Sequence, residues 1–152
     1  MAATIHGRFL ALYPSQAPTA ADILHTPEQT LRQAGLSRSK VSYVRDLAAK
    51  VQSGLPTLEQ LATQDDDAII QILTQVKGIG RWSAQMLLIF RLQRQDVWPT
   101  DDQGIRNALQ RLYQLEEPPS KAETERCGQP WQPYRSIAAW YLWRSLAMAD
   151  WG

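Results

Sequence analysis

Apolar side chains recur along much of the chain at the three- and four-residue spacing of an amphipathic helix. The clearest stripe consists of Val41, Val44, Ala48 and Val51. No segment alternates apolar and polar residues in the manner of a half-buried β-strand. The pattern therefore predicts an all-α protein, a compact domain of several helices.

Residues that commonly begin or end helices separate these stripes. Ser, Thr and Asp side chains cap helix starts, and proline suits the first helical position. Helix starts are predicted at Thr26-Pro27, Ser37, Thr57, Asp65-Asp66-Asp67 and Ser120. Helix ends are predicted at Gly35 and Gly54. The run of three Asp residues is better explained by capping and by the helix dipole than by a metal site.

Further helices are predicted in the second half of the chain. One runs from about Arg81 to Leu92, and another begins after Pro99-Thr100-Asp101-Asp102. The apolar face of this second helix consists of Ile105, Leu109 and Leu112. The last helix, from about residue 133 to 148, is apolar nearly all round and is expected to be mostly buried.

The bulk composition narrows the class of protein without pointing to a partner. At 152 residues the chain suits one domain covering residues 1–152, and a formal net charge of +1 gives no general sign of nucleic-acid binding. The single cysteine, Cys127, excludes an internal disulfide and fits a reduced, intracellular setting. No apolar run reaches the roughly 18 residues needed to span a bilayer, so no membrane contact is expected.

A glycine-bracketed segment, Val76-Lys77-Gly78-Ile79-Gly80-Arg81-Trp82-Ser83-Ala84, separates two predicted helices. Its glycines allow a tight reversal and leave main-chain amides exposed at the start of the next helix, where an anion such as a DNA phosphate can bind. Ile79 is expected to point inward. A plain turn between helices explains the glycines equally well, but the flanking Lys77 and Arg81 favour the phosphate interpretation.

An acidic pair, Asp101-Asp102, precedes the next predicted helix. Capping of that helix by Thr100 or Asp101 is the favoured local explanation. In the alternative, one Asp caps the helix while the other projects into a cleft. A carboxylate fixed there can stabilise the oxocarbenium character that develops on a sugar as a base–sugar bond breaks, and it can orient water.

Tryptophan is frequent, with 6 residues in the chain. The candidates for an aromatic pocket are Trp82, Trp98, Trp131, Trp140 and Trp143. Core packing is the alternative for several of them, Trp140 especially. Stacking a flat, cationic alkylated purine on an indole gains on the order of 0.5–2 kcal/mol per contact. The base must first leave the duplex to reach such a pocket.

These motifs together resemble a known family. Residues 78–84, followed by Asp101-Asp102-Gln103-Gly104-Ile105-Arg106, are similar to the helix-hairpin-helix DNA glycosylase superfamily with its Gly/Pro-rich loop and Asp, most of all to the 3-methyladenine DNA glycosylase II branch. Residues 35–40 and 133–136 with Trp143 resemble further segments of that branch, so the similarity covers nearly all of the chain.

The resemblance implies a monofunctional DNA-3-methyladenine glycosylase of base excision repair, which hydrolyses the N-glycosidic bond of alkylated purines flipped out of duplex DNA. Asp102, three positions before Ile105, matches the essential Asp of the family, whereas Asp101 does not. Trp82 stands where bifunctional relatives have a Schiff-base lysine, which implies that the DNA strand is not cut.

Binding residues follow from the same resemblance and from the aromatic candidates. The base-binding set is Trp82, Met86, Trp98 and Trp143. The DNA-binding set is Lys77, Gly78, Ile79, Gly80, Arg81 and Ser83. Family hairpins often hold a monovalent cation on main-chain carbonyls, which here belong to Thr74, Val76 and Ile79. No cofactor is expected to be required, and the iron–sulfur cluster of some relatives is excluded because its four cysteines are missing.

Family members usually carry a further stretch before the segment with which this chain starts, including a Gln-rich helix and a residue that wedges into DNA. Met1-Ala2-Ala3-Thr4-Ile5 resembles the end of that helix. We therefore expect the chain to lack the N-terminal part of the family's domain, with weaker base flipping as a consequence.

The expected partner is double-stranded DNA containing alkylated bases. The protein is expected to be a monomer in the cytoplasm, associated with a bacterial nucleoid, or otherwise intracellular. Two other functions fit the motifs: a catalytically impaired or non-enzymatic hairpin module that binds duplex DNA in a salt-sensitive way, and a structural remnant without a DNA function. A strand-cleaving lyase is the least favoured.

Overall fold

The computed structural model describes residues 2–148, and the regular structure within this range is entirely helical. The all-α prediction is confirmed. The chain divides after Gly80 into two compact units. The assignment of residues 1–152 to one domain stays a prediction. Between residues 2 and 148 there is no helix with the length and apolar content of a membrane span.

The first unit contains the shorter helices and one long one. Its helices are α1 (Ala2–Leu10), α2 (Ala20–His25), α3 (Glu28–Gln33), α4 (Arg38–Gln52), α5 (Leu58–Ala62) and α6 (Asp66–Leu73). Its most buried apolar side chains include Leu31, Val41, Ala48, Leu61, Ile69, Leu73 and Val76. Arg45 of α4 ties that helix to the end of α2, because its guanidinium donates to the main-chain oxygens of Thr26 (2.9 Å) and Leu24 (3.2 Å).

Most predicted helix starts in this unit are confirmed. Ser37, Thr57 and Asp65 each accept a main-chain N–H three residues later. The prediction for Thr26 is wrong: this residue closes α2, and its hydroxyl donates to the main-chain oxygen of Asp22 at 2.7 Å.

One further expectation for the first unit is corrected. Val51, the last member of the predicted α4 stripe, is exposed, because the buried stripe ends one turn earlier at Ala48. The resemblance of residues 1–5 to the end of a family helix stays a prediction, and Met1 lies outside the described residues.

The second unit is built around the packing of two helices, α8 and α10. Its helices are α7 (Arg81–Phe90), α8 (Gln103–Leu112), α9 (Lys121–Gly128), a short 3-10 helix (Gln129–Trp131) and α10 (Arg135–Ala147). Its core cluster consists of Trp98, Ile105, Ala108, Leu109, Ala139 and Leu142. Ser120 caps α9 as predicted. Leu112 is exposed, contrary to the prediction, because it lies in the last turn of α8.

The expectation that α10 is mostly buried is wrong. Its buried residues are Ser136, Ala139 and Leu142, which recur every third position and form one narrow stripe. The remaining faces carry exposed large side chains: Ile137, Trp140 and Tyr141. Trp140 is therefore not a core residue; it packs edge-on against Tyr141, and the Arg144 guanidinium lies 5.2 Å from its ring centroid.

The start of α10 is held by a polar clamp rather than by a capping side chain. The Arg135 guanidinium donates to both carboxylate oxygens of Asp96, at 2.7 and 2.9 Å. The Ser136 amide donates to the main-chain oxygen of Gln95, and the Ser136 hydroxyl accepts from the Val97 amide. The hydrogen bonds from Arg135 lower the pKa of Asp96. This clamp sets where α10 begins and hence where its later side chains lie.

Candidate active site and hairpin turn

The glycine turn after α6 is shaped by two side chains of α4. Gly78 has a φ of +86°, a conformation that favours glycine, and a Cβ at this position would overlap the ring of Tyr43. The Lys77 amide donates to the Asp46 carboxylate at 2.7 Å, across 31 positions of sequence. Tyr43 and Asp46 were missed by the sequence analysis, because no local motif links them to the turn.

The turn offers fewer free amides than its sequence predicts. The Lys77 amide binds Asp46, and the half-buried Ile79 donates its amide to the main-chain oxygen of Val76 at 3.0 Å. The expectation that these two amides point to a ligand is therefore wrong. The amides of Gly78 and Gly80 have no acceptor among residues 2–148. Two exposed amides beside the exposed Lys77 side chain can bind an anion.

The other predicted DNA contacts belong to the second unit. Arg81 is exposed at the first position of α7, and Ser83 is half-buried two residues later. Their assignment as DNA contacts stays a prediction.

Asp102 lies at the centre of the candidate active site in the second unit. It is the N-cap of α8: its Oδ1 accepts the Ile105 amide at 2.8 Å. The same oxygen accepts the indole N–H of Trp143 at 2.9 Å, and Oδ2 accepts the indole N–H of Trp82 at 2.6 Å. The structure thus brings together the predicted Asp and two predicted pocket tryptophans from α7, α8 and α10.

The roles expected for Asp101 and Asp102 are corrected. We expected capping by Thr100 or Asp101, with one Asp capping and the other projecting into a cleft. Asp102 is itself the cap through one carboxylate oxygen, and its other oxygen accepts the indole N–H of Trp82. Asp101 is exposed and forms an ion pair with Lys121 at 2.8 Å.

The carboxylate of Asp102 is buried, and no cationic side chain within residues 2–148 bonds to it. Its side chain belongs to a residue that is only 8% exposed. Its bonding partners within residues 2–148 are two indoles and one amide, all of them neutral donors. An ionised carboxylate accepts hydrogen bonds and cannot donate them, so three donors suit it. Its negative charge is therefore oriented but not neutralised by a protein cation.

Gly104 makes the contact between Asp102 and Trp143 possible. A Cβ at this position would lie 3.0 Å from Oδ1 of Asp102 and 3.1 Å from Cδ1 of Trp143, both tighter than ordinary contact. Gly104 was quoted within the motif but not assigned a role. The only sequence signal for it is a glycine in the first turn of a helix, where most other residues are better helix formers.

The aromatic candidates divide between site and core. Trp82 is 48% exposed, Trp143 is half-buried, and Met86 is half-buried one turn after Trp82. The assignment of Trp98 to the base-binding set is wrong. Trp98 is 6% exposed within the core cluster, and its indole N–H donates to the main-chain oxygen of Thr124 at 2.8 Å. Trp131 packs edge-on against it.

Comparison with known proteins adds to this geometry. DNA-3-methyladenine glycosylase 1 of Schizosaccharomyces pombe is 40% identical over 136 residues, which cover 89% of this chain and 60% of the relative. The solved structure of the S. pombe 3-methyladenine DNA glycosylase in complex with abasic DNA superimposes with a TM-score of 0.90 and 37% identity, covering 99% of this chain and 74% of that one. A DNA-3-methyladenine glycosidase from Bacillus halodurans gives a TM-score of 0.84 at 33% identity, with coverage of 95% and 66%.

The family itself is shown by a match over most of the sequence. The chain spans 60% of the length of the S. pombe relative. The model of the family described as HhH-GPD superfamily base excision DNA repair protein matches residues 1–133. The resemblance inferred from the motifs is thereby confirmed, and the chain belongs to the HhH-GPD superfamily.

Proposed function

We propose that this protein is a monofunctional DNA glycosylase that hydrolyses the N-glycosidic bond of alkylated purines, with Asp102 as its catalytic residue. The observation that carries the proposal is a buried carboxylate held by three neutral donors, with no cationic partner among the described residues. The 3-methyladenine glycosylases to which the chain is similar support the choice of substrate.

The chemistry follows from the charge of this carboxylate. As the base–sugar bond lengthens, the sugar gains oxocarbenium character, and a fixed negative charge stabilises that transition state more than the ground state. A cationic alkylated base is already a good leaving group, so no residue needs to protonate it. The same carboxylate can orient the water that completes hydrolysis.

Trp82 and Trp143 serve as stacking surfaces for the flipped base. Their indole N–H groups both bind Asp102, which fixes both rings beside the reacting carboxylate. A flat cationic purine gains on the order of 0.5–2 kcal/mol from each such contact, which favours alkylated over normal bases. Met86, one turn along α7 from Trp82, adds an apolar and polarisable contact.

The absence of strand cleavage is also part of the proposal. No lysine is among the residues that contact Asp102 between residues 2 and 148, and Trp82 occupies the position that a Schiff-base lysine would take. The product is therefore an abasic site in an intact strand. Treatment with borohydride during turnover would trap a covalent protein–DNA adduct only if this part of the proposal were wrong.

We assign DNA binding by the first unit to the hairpin turn. The Gly78 and Gly80 amides and the Lys77 ammonium suit one phosphate of a duplex. The partner is double-stranded DNA carrying alkylated bases, which the protein meets as a monomer inside the cell, in the cytoplasm or at a bacterial nucleoid. Such binding weakens steeply with added salt, because each phosphate contact releases counterions.

A monovalent cation on the main-chain oxygens of Thr74, Val76 and Ile79 remains a proposal. One observation supports it: among residues 2–148 the Val76 oxygen accepts the Ile79 amide alone, which leaves a second lone pair for an ion. No cluster of His, Cys, Asp or Glu able to hold a metal is found within residues 2–148. The ion would stiffen the turn and take no part in the chemistry.

The decisive experiment compares two neighbouring Asp residues. Asp102→Asn keeps a capping oxygen for Ile105 but loses the negative charge and the acceptor for the Trp82 indole N–H, so base release from methylated duplex DNA should fall roughly 100-fold or more. Asp101→Asn, the matched control, removes only an exposed ion pair and should act like the wild type. Free bases are quantified by mass spectrometry, and duplex affinity is measured in parallel.

The outcomes separate the alternatives. Unchanged DNA affinity with lost base release in Asp102→Asn supports the enzyme. Base release by Asp102→Asn at the wild-type rate would make the catalytic assignment wrong. A wild-type chain that binds duplex but releases no base is instead a non-enzymatic binding module, and one that binds no duplex at low salt has no DNA function.

A further inference from the structure

A long apolar groove lies on the second unit, between the end of α8 and the outer face of α10. Its volume is about 860 Å³, within the range of about 300–1,000 Å³ that is usual for binding clefts. Five large apolar side chains that line it are 43–65% exposed: Leu112, Tyr134, Ile137, Tyr141 and Met148. A contiguous apolar surface of this kind marks an interaction site, whereas single exposed apolar residues do not.

The groove is separate from the candidate active site. The α10 residues that line it recur at intervals of three or four, from the N-cap Tyr134 to the C-cap Met148, so they lie along one side of the helix. Trp143, which binds Asp102, comes two residues after Tyr141 and therefore projects from nearly the opposite side. A molecule bound in the groove leaves the base-binding side of α10 open.

The charged side chains of the groove are both positive. Arg111 of α8 and Arg144 of α10 line it, and no Asp or Glu between residues 2 and 148 does. Both arginines are exposed, and the Arg144 guanidinium lies 5.2 Å from the ring centroid of Trp140. An occupant with acidic groups beside its apolar surface therefore meets complementary charge.

This charge pattern argues against two other occupants. In a two-fold symmetric contact with a second copy, the same surface of each molecule would meet, so Arg111 and Arg144 would lie against identical arginines. Like charges brought together in an interface cost free energy. Single-stranded nucleic acid would suit the arginines, but it needs aromatic rings for successive bases, and the aliphatic side chains of Leu112, Ile137 and Met148 occupy much of the groove.

From these observations we infer that the groove binds an amphipathic helix of a partner protein, with an apolar stripe flanked by acidic residues. Along α10, from residue 134 to residue 148, the groove is about 21 Å long at 1.5 Å per residue, which accommodates about four turns of a second helix. Apolar residues of the partner at three- and four-residue spacing pack into the groove, and its Asp or Glu side chains meet Arg111 and Arg144. The inference does not depend on the proposed glycosylase function, since it uses none of the residues of that site.

The test uses two synthetic helical peptides of about four turns, roughly 16 residues, with the same leucine stripe. One peptide has Glu beside the stripe and the other has Lys. Fluorescence anisotropy gives the Kd of each for the full chain at low salt. The acidic peptide should bind roughly tenfold more tightly than the basic one or better, and added salt should reduce the difference.

Charge reversal in the protein should reverse this preference. The double exchange Arg111→Glu with Arg144→Glu should bind the basic peptide more tightly than the acidic one. Arg126→Glu is the matched control, because Arg126 is an exposed arginine of α9 that does not line the groove. It should keep the wild-type order.

Ile137→Ser tests the apolar part of the groove and should weaken binding of the acidic peptide roughly fivefold or more. Leu115→Ser, the control, removes a similarly exposed side chain outside the groove and should bind like the wild type. Thermal melts verify that each variant is folded.

Three results would overturn the inference: equal affinity for the two peptides, an unchanged order in the double arginine variant, or wild-type affinity in Ile137→Ser. Two others would assign the groove to a different occupant and overturn it as well. One is a wild-type dimer in sedimentation that Ile137→Ser dissociates. The other is displacement of the acidic peptide by single-stranded oligothymidylate.

Discussion

The hairpin turn and the carboxylate site differ in the groups that they expose to a ligand: main-chain amides at the turn and side chains at the site. The turn presents main-chain amides, and its supporting side chains, Tyr43 and Asp46, lie behind it. The site presents side chains. The main chain leaves room for them at Gly104, which has no Cβ. A surface of amides suits a phosphate, which is the same at every nucleotide. A surface of indoles around a charge suits one kind of base and one reacting bond.

A glycine-to-alanine exchange in each region should affect different measurements: stability and duplex affinity at the turn, and base release at the site. The largest effect is expected for Gly78→Ala. Its positive φ costs about 1–2 kcal/mol for a residue with a Cβ, and overlap with the Tyr43 ring adds to that. Melting temperature and duplex affinity should both fall. Gly80→Ala, whose Cβ would meet nothing within 4 Å, is the control and should melt close to the wild type.

Gly104→Ala should have the converse profile. Alanine is the better helix former by about 1 kcal/mol, which offsets the cost of moving Asp102 or Trp143, so the melting temperature should change little. The new Cβ must displace Asp102 or Trp143 by a few tenths of an ångström. Single-turnover base release should therefore fall roughly 3- to 30-fold while duplex affinity is kept. Gly7→Ala in α1, where a Cβ has open space, should gain stability without losing activity. Equal activity of the Gly104 variant and the wild type would show that Gly104 does not position the pair.

A smaller effect is expected from the charge behind the turn. Asp46→Asn keeps an acceptor for the Lys77 amide but removes a negative charge close to the proposed phosphate site. Duplex affinity should rise about two- to fivefold at low salt, and the difference should shrink as salt screens it. Asp46→Ala, which removes the acceptor as well, should bind less tightly than Asp46→Asn. Weaker binding by Asp46→Asn than by the wild type would mean that the charge is needed to hold the turn.

The smallest effect concerns the clamp that starts α10. Because Arg135 lowers the pKa of Asp96 in the folded state, the clamp stabilises the protein above the ordinary pKa of an Asp. That contribution is lost as the pH falls through the lowered pKa and the carboxylate gains a proton. Asp96→Asn should therefore lower the melting temperature at pH 7 and narrow the gap to the wild type in acid. A gap that is constant with pH would show that the ion pair does not contribute.

Local signals in the sequence predicted most helix starts in the described chain. Ser37, Thr57 and Ser120 each carry a hydroxyl that finds the amide three residues later, which needs no information from elsewhere in the fold. Thr26 has the same chemistry but ends α2 instead, since its hydroxyl bonds back to Asp22. A Ser or Thr hydroxyl can accept an amide that follows it or donate to a carbonyl that precedes it, and the local sequence does not determine which of the two bonds forms.

Burial was harder to predict than helix positions. Trp98 and Trp140 were interpreted the wrong way round: the first is in the core and the second is exposed. Both are large apolar residues. Trp98 is in the core, where its indole N–H finds an acceptor in the main-chain oxygen of Thr124, whereas Trp140 lies outside the buried stripe of α10. These facts depend on contacts between segments that are far apart in sequence.

The candidate site shows the same limit more sharply. The choice of Asp102 over Asp101 came from a family resemblance, whereas capping rules alone favoured Thr100 or Asp101. The indole bonds to Asp102 join residues 20 and 41 positions apart, and no spacing rule predicts them. Gly104 was overlooked because a helical glycine acquires meaning only beside Asp102 and Trp143.

The double use of Asp102 has a consequence for how the proposed activity would be lost during evolution. The residue both begins α8 and supplies the charge, so folding constrains it independently of chemistry. A lineage released from selection for base removal would still need an acceptor at this position, which Asn, Ser or Thr can provide and Ala cannot. Inactive descendants should therefore be recognisable by a conservative polar exchange at position 102, with the rest of the helix start unchanged.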